Sequence, residues 1–352
     1  MGTITFLLVL SFLVFFHELG HFLAARYFGV KVHVFSIGFG KQIYSKYWAG
    51  TTWQIAMIPL GGYVKMKGQD DSNPALIEDG NDSYNTKKPW QRIIILFAGP
   101  FANFLLAAII YFSIALMGAN TLAPVIGNVS PNSVAFEAGL QTDDKIIKIN
   151  DINIKSWDEI GKVITTTQGT LQFYIQRDNK LLVKMINPQV SDSQNMFNER
   201  IKKRMIGIAP KGEVITLELG FYDSLIFAYE KTILASTMIF QGVQKLIQGI
   251  IPSSEIGGVI SIGKVISDAS ESSFIALLTI TALISVNLGV LNLLPIPALD
   301  GGHIMFNLYE MIVKRKPSER VFMFLTIMGW IILASLMLLG IYNDINRIFL
   351  NN

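Results

Sequence analysis

His17-Glu18-Leu19-Gly20-His21 is the stretch in which residue types and spacing could do chemistry. On a helix, residues four apart share a face, so the two imidazoles can hold one metal ion. Glu18 sits beside them, where its carboxylate can take a proton from water activated at that metal. The chain has no cysteine and four histidines, His17, His21, His33 and His303, so any metal must be held by His, Asp or Glu. A plainer reading is a pair of hydrogen-bonded helix histidines with an unrelated glutamate. Their setting argues against it, because Glu18 is the one charge in residues 1–25. Ionisable groups inside an apolar span are costly and mark function by default.

A catalytic zinc site keeps one position open and wants a third protein ligand. Asp300 is the candidate: it ends the uncharged stretch 272–299 and is the only carboxylate between Glu271 and Glu310. Two alternatives stand beside it. Asp300 could cap a helix ahead of Gly301 and Gly302. His303, three residues on, could be the ligand instead, although a supporting or packing role suits it better. His33 follows Lys31 in a basic loop and reads as an ordinary surface or strand residue.

The elements that must position these residues are those of a membrane protein. The chain is 51% hydrophobic and only 16% charged, with a mean hydropathy of +0.43. A net charge of +3 with no marked basic run excludes nucleic acid as an expected partner. Residues 3–25 predict a spanning helix, with His17 thirteen residues beyond Ile4. That spacing is about 20 Å along the axis, inside the bilayer but nearer one side. Residues 26–92 form a polar loop with β-like runs at 32–40 and 50–66 and a polar connector at 70–86. Residues 91–117 predict a second span, interrupted by Gly99, Pro100 and Asn103, which suggest close packing on a neighbour. Residues 121–210 regain charge and alternate short β-rich runs, 125–129, 145–149, 171–176 and 181–185, with turns. They predict a soluble domain.

Residues 211–271 read as amphipathic interfacial helices, because Asp223, Glu230, Lys231 and Lys245 break their apolar runs. Spans at 272–299 and 321–341 complete four. The loop 26–92 holds nine Lys/Arg against five Asp/Glu, and Lys314, Arg315, Lys316 and Arg320 cluster in another. Both loops are expected in the cytoplasm, with 121–210 on the far side. The fold class expected is an α-helical polytopic membrane protein of four spans with a β-rich segment after the first span and an inserted β-rich soluble domain.

Taken together, the HELGH run, Ile37-Gly38-Phe39-Gly40, Pro59 to Met66 and Asn292 to His303 resemble the site-2 protease family of intramembrane metalloproteases. The bacterial RseP-like branch is the nearest match. Ser130-Pro131, Ala138 to Gln141, Asp144 and Ile149-Asn150 resemble a bacterial PDZ domain. The resemblance implies Zn2+ held by His17, His21 and Asp300, with Glu18 activating water. It implies a membrane-associated β-rich segment whose strand edge takes an unwound substrate, an inserted α/β PDZ domain, and substrate contacts from Asn292 and Asn287. It implies single-span membrane proteins as substrates, such as anti-sigma factors in regulated intramembrane proteolysis, or signal-peptide remnants. It implies a multi-pass protein of the inner (cytoplasmic) membrane, with membrane lipid around it and peptide C-termini as potential PDZ partners. The chain departs from the two-PDZ pattern in having room for one. It also reads Thr142-Asp143-Asp144 where a Gly-Asp pair is common, which places Asp143 in a strained turn or changes the turn. The competing function is a non-catalytic PDZ scaffold with a structural metal. A transporter would show repeated halves or several polar spans, and neither is present.

Overall fold

The computed structural model describes residues 2–69, 80–197 and 199–349. Most of the expected connector at 70–86, including Asp70, lies outside the described residues. The chain forms two units, Met1–Ile114 with Leu225–Asn352, and Ala115–Ser224.

Helix α1 (Gly2–Tyr27) stops where Gly29 takes a left-handed φ of +68°. Val30 N–H donates to Ala25 O and Gly29 N–H to Arg26 O, the paired bonds of a Schellman end. Strands β1 (Val32–Trp48) and β2 (Thr51–Met66) follow, joined by Ala49-Gly50 with φ of 50° and 84°. Two positive φ values in a two-residue loop suit the twist of a hairpin. The first strand outruns the expected 32–40, because Gly38 and Gly40, at φ of 92° and 84°, bend it without ending the ladder. Residues 34–37 consequently have partners on both sides, 62–65 and 52–55, while 42–48 pair with 51–56. That leaves 42–48 and 62–66 with a partner on one side each among the described residues. Helix α2 (Pro89–Gly118) begins on a proline, whose missing N–H is no loss at a first helical position.

The unit Ala115–Ser224 holds β3 (Ala119–Leu122), β4 (Ile126–Val129), α3 (Val134–Glu137), β5 (Lys145–Ile149), β6 (Ile152–Asn153) and α4 (Trp157–Thr166). Strands β7 (Leu171–Arg177), β8 (Lys180–Ile186), β9 (Gln189–Gln194), β10 (Arg200–Met205), β11 (Ile208–Pro210) and β12 (Val214–Leu217) complete it. A sheet of order β6-β5-β7-β8 is joined by the pairs β4–β11, β3–β12 and β9–β10. Alternation on β7 buries Leu171, Phe173 and Ile175, and α4 adds Ile160, Val163 and Ile164 at helical spacing to the same core. Asp143 has φ of 71°, a left-handed position that aspartate tolerates better than most residues, so it stands where glycine is common. The neighbouring Asp144 is fully buried and accepts from Gln141 N–H at 2.8 Å and from Arg177 at 2.6 and 2.8 Å. These bonds hold the Arg177 guanidinium above its ordinary pKa.

The chain returns through α5 (Phe221–Ile247), α6 (Val259–Ser272), α7 (Phe274–Asn292), α8 (Asp300–Val313) and α9 (Glu319–Phe349). Gly2–Tyr27, Pro89–Gly118, Phe274–Asn292 and Glu319–Ile348 are long and apolar enough to cross a membrane, the four expected. The long helix α5 is not among them. The third span ends at Asn292 rather than 299, since Pro295 and Pro297 cannot continue a helix. Leu13 of α1, Leu106 and Ile110 of α2, Ile266 of α6, and Val286 and Val290 of α7 share one core. Buried Asp344 of α9 accepts from the N–H groups of Gly258, Ile260 and Ser261 at 2.9–3.0 Å and so caps α6, which packs on α1 and α7. Outward-facing Phe324 and Leu338 of α9 are 64% exposed, a side-chain choice that suits lipid rather than water.

Candidate metal centre

His17, Glu18 and His21 lie on the second half of α1, and Asp300 is the first residue of α8. His17 Nε2 is 3.2 Å from His21 Nε2, and Asp300 Oδ2 is 3.3 Å from the first and 3.4 Å from the second. Among the described residues these are the one group of three His, Cys, Asp or Glu donors placed to share a metal. The three separations fit zinc: donors about 2.0–2.1 Å from a tetrahedral ion lie about 3.3–3.4 Å apart. Two nitrogens and a carboxylate oxygen are also a donor set zinc accepts.

Asp300 does not act as a helix cap: Leu299 holds the cap position, and no side chain caps the first turn. It reaches the histidines because α8 starts tight against the preceding loop. A Cβ on Gly301 would lie 2.3 Å from Leu294 O, and one on Gly302 2.3 Å from Ile296 O. Only glycines permit that approach. His303 is not part of the donor group. Its ring lies 5.8 Å from that of Phe322 and 6.2 Å from that of Phe306, a packing position. His33 is half-buried on β1.

Helix α2 supports the histidines. His21 Nδ1 lies 2.8 Å from Ile95 O, and a carbonyl can only accept, so Nδ1 carries the proton and Nε2 is left with its lone pair. Gly99 makes room for this ring: a Cβ there would sit 2.1 Å from His21 Nε2. Asn103, fully buried, lies 3.1 Å from His17 Nδ1. Residues 99 and 103 carried a signal in the sequence, as small or polar positions inside an apolar span, but which side chain they met was hidden.

Glu18 is buried and passes close to β2, where a Cβ on Gly62 would lie 3.1 Å from Glu18 Cγ. Asn292 Nδ2 is 3.4 Å from His17 Nε2, at the edge of the donor group. Asn287 stands five residues earlier on the same helix, about 140° around its axis from Asn292.

The sequence pattern of peptidase family M50 matches residues 5–336. A Campylobacter jejuni protein is 49% identical over 341 residues, 97% of this chain and 92% of the relative. One from Helicobacter pylori J99 is 41% identical over 351 residues, covering 97% of this chain and 98% of that one. A Rickettsia conorii protein is 37% identical over 358 residues and 99% of both chains. All three carry the name "Putative zinc metalloprotease". With a family pattern over nearly its whole length and relatives this similar, the chain belongs to peptidase family M50, the site-2 protease family.

Proposed function

We propose that the chain is a zinc metalloprotease that hydrolyses peptide bonds within the transmembrane segments of single-span proteins. The observation that carries this reading is the triangle of His17, His21 and Asp300, with both histidines and Glu18 on a helix apolar enough to span a membrane. His17 and His21 through Nε2, and Asp300 through a carboxylate oxygen, would hold the ion. Zinc, when bound, supplies a Lewis acid that brings the pKa of water near neutral. Glu18 accepts the proton of the attacking water and delivers it to the departing amine. Its burial keeps that carboxylate close to the reacting atoms rather than in bulk solvent.

A helical substrate presents carbonyls already hydrogen-bonded, so it must unwind before attack. The edge at 62–66, paired with 32–37 on one side, offers main-chain partners to an extended segment, and Gly62 brings that edge beside Glu18. A cavity of about 380 Å³ bordered by Phe15, Phe35 and Trp53 suits an apolar side chain. Asn292 is placed to hold a substrate amide, and Asn287 has the weaker claim. In the same reading residues 1–120 carry the HExxH half, 121–210 a single PDZ domain on the extracytoplasmic side, 211–271 interfacial helices and 272–352 the half with Asp300. The protein is then an RseP-like enzyme of the inner membrane, acting in regulated intramembrane proteolysis or on signal-peptide remnants.

The test is cleavage of a labelled single-span peptide in detergent, with and without a zinc chelator. Cutting that the chelator stops supports the reading. Cutting that persists with zinc removed, or a purified protein that cuts nothing and holds no zinc, overturns it.

A further inference from the structure

For His17 to bind a metal through Nε2, its proton must sit on Nδ1, and something must hold it there. His21 has a backbone carbonyl for this purpose, whereas His17 has the side-chain amide of Asn103 at 3.1 Å. An amide offers either end to a neighbour, and the two ends have the same shape. If Nδ2 faces His17, it donates to Nδ1, the ring proton moves to Nε2, and the ring cannot be a ligand. Asn103 Oδ1 is then also buried without a hydrogen bond among the described residues. If the amide is turned, Oδ1 accepts from Nδ1–H, and Nε2 points its lone pair at His21 and Asp300. Turning the amide only passes the missing partner from Oδ1 to Nδ2, so it is the donor triangle that favours the turned orientation.

We infer that Asn103 is a positioning residue for the metal centre: its Oδ1 accepts the Nδ1–H of His17 and fixes the ring as an Nε2 ligand. Asn103 is well held for the task. It is fully buried, and its own carbonyl accepts from Ser285 Oγ of α7 at 2.7 Å. Ser285 and Asn292 are seven residues apart on α7, about one face, and Gly289 between them approaches the Phe104 ring, where an added Cβ would lie 3.0 Å away. The amide thus sits in a rigid seam between α2 and α7. One side chain sets the tautomer of His17 while Asn292 borders the opposite ring nitrogen.

This inference rests on the zinc-site reading, and the test separates the two. Full-length protein in detergent is titrated with a zinc chelator to measure affinity, for the wild type and for Asn103→Leu, Asn103→Asp, Ser285→Ala and Asp300→Ala. Asn103→Leu keeps much of the volume but cannot accept a hydrogen bond, and zinc affinity is expected to fall about 10–100-fold. Asn103→Asp still accepts from Nδ1–H and is expected to stay within a few-fold of wild type. Ser285→Ala loosens the hold on Asn103 without touching His17, so its loss of affinity should be smaller than that of Asn103→Leu. Affinity in Asn103→Leu equal to wild type, or Asn103→Asp as weak as Asn103→Leu, overturns the inference. Should the variants fold poorly, 15N-histidine NMR of zinc-loaded wild type decides: a proton on His17 Nδ1 supports it, and one on Nε2 overturns it. A wild type that binds no zinc refutes the metal site itself instead, and binding unaffected by Asp300→Ala removes Asp300 from it.

Discussion

Replacing Glu18 by glutamine keeps the side chain's shape and removes its capacity to accept a proton. Loss of a general base slows reactions about 10²–10⁴-fold. Glu18→Gln is therefore expected to lower turnover by at least that much while retaining zinc, because Glu18 is not one of the three donors. Asp300→Ala should do the reverse and act first on the metal. Its affinity for zinc should fall by more than the roughly 10–100-fold that loss of a partner to a ligand costs. Metal analysis after dialysis separates the two variants. Unchanged zinc in Asp300→Ala would move the third ligand elsewhere.

At the scale of the element, two glycines make opposite demands on their neighbours. In the interior of α2, alanine for Gly99 should stabilise the helix by about 1 kcal/mol on propensity alone. The new Cβ, however, would meet the His21 ring at 2.1 Å. A side chain can swing aside, so the expected outcome is a zinc-free protein as stable as wild type with impaired zinc binding. Gly301→Ala is different, since its Cβ would meet main-chain oxygens at 2.3 and 2.4 Å that cannot swing. There the start of α8 must move. A destabilisation of about 1–3 kcal/mol, read by thermal unfolding, should accompany the loss of zinc. In sequence the third span reads past Pro295 and Pro297 to 299 and the first strand ends at Gly40, whereas in the fold those prolines stop α7 and the glycines only bend β1. The sheet made by folding β1 back between two stretches of β2 was not legible there, because hairpin signals are local and this pairing is not.

On the scale of the whole molecule, the two units should respond separately to damage. Asp144→Ala leaves the Arg177 guanidinium, 23% exposed, without its carboxylate. A loss of about 2–3 kcal/mol is expected in the unit Ala115–Ser224, seen as faster limited proteolysis there. Zinc content should not change, as all three donors belong to the other unit. A tag placed within 121–210 should react with an impermeant reagent added from outside the cytoplasm. Labelling from the cytoplasmic side alone would reverse the orientation read from the basic loops.

The sequence by itself determined the four apolar helices, the shared face of His17 and His21, and the glutamate between them. Each of these follows from composition or from the helical repeat, which act over a few residues. Tertiary structure alone decided which carboxylate meets the histidines, that His303 packs on Phe322 instead, and that Asn292 borders His17. It also decided that the buried amide at position 103 faces His17 and that Gly62 lies against Glu18. No local pattern links these residues: they stand on separate helices and strands, and only the packing of those elements sets the distances between them.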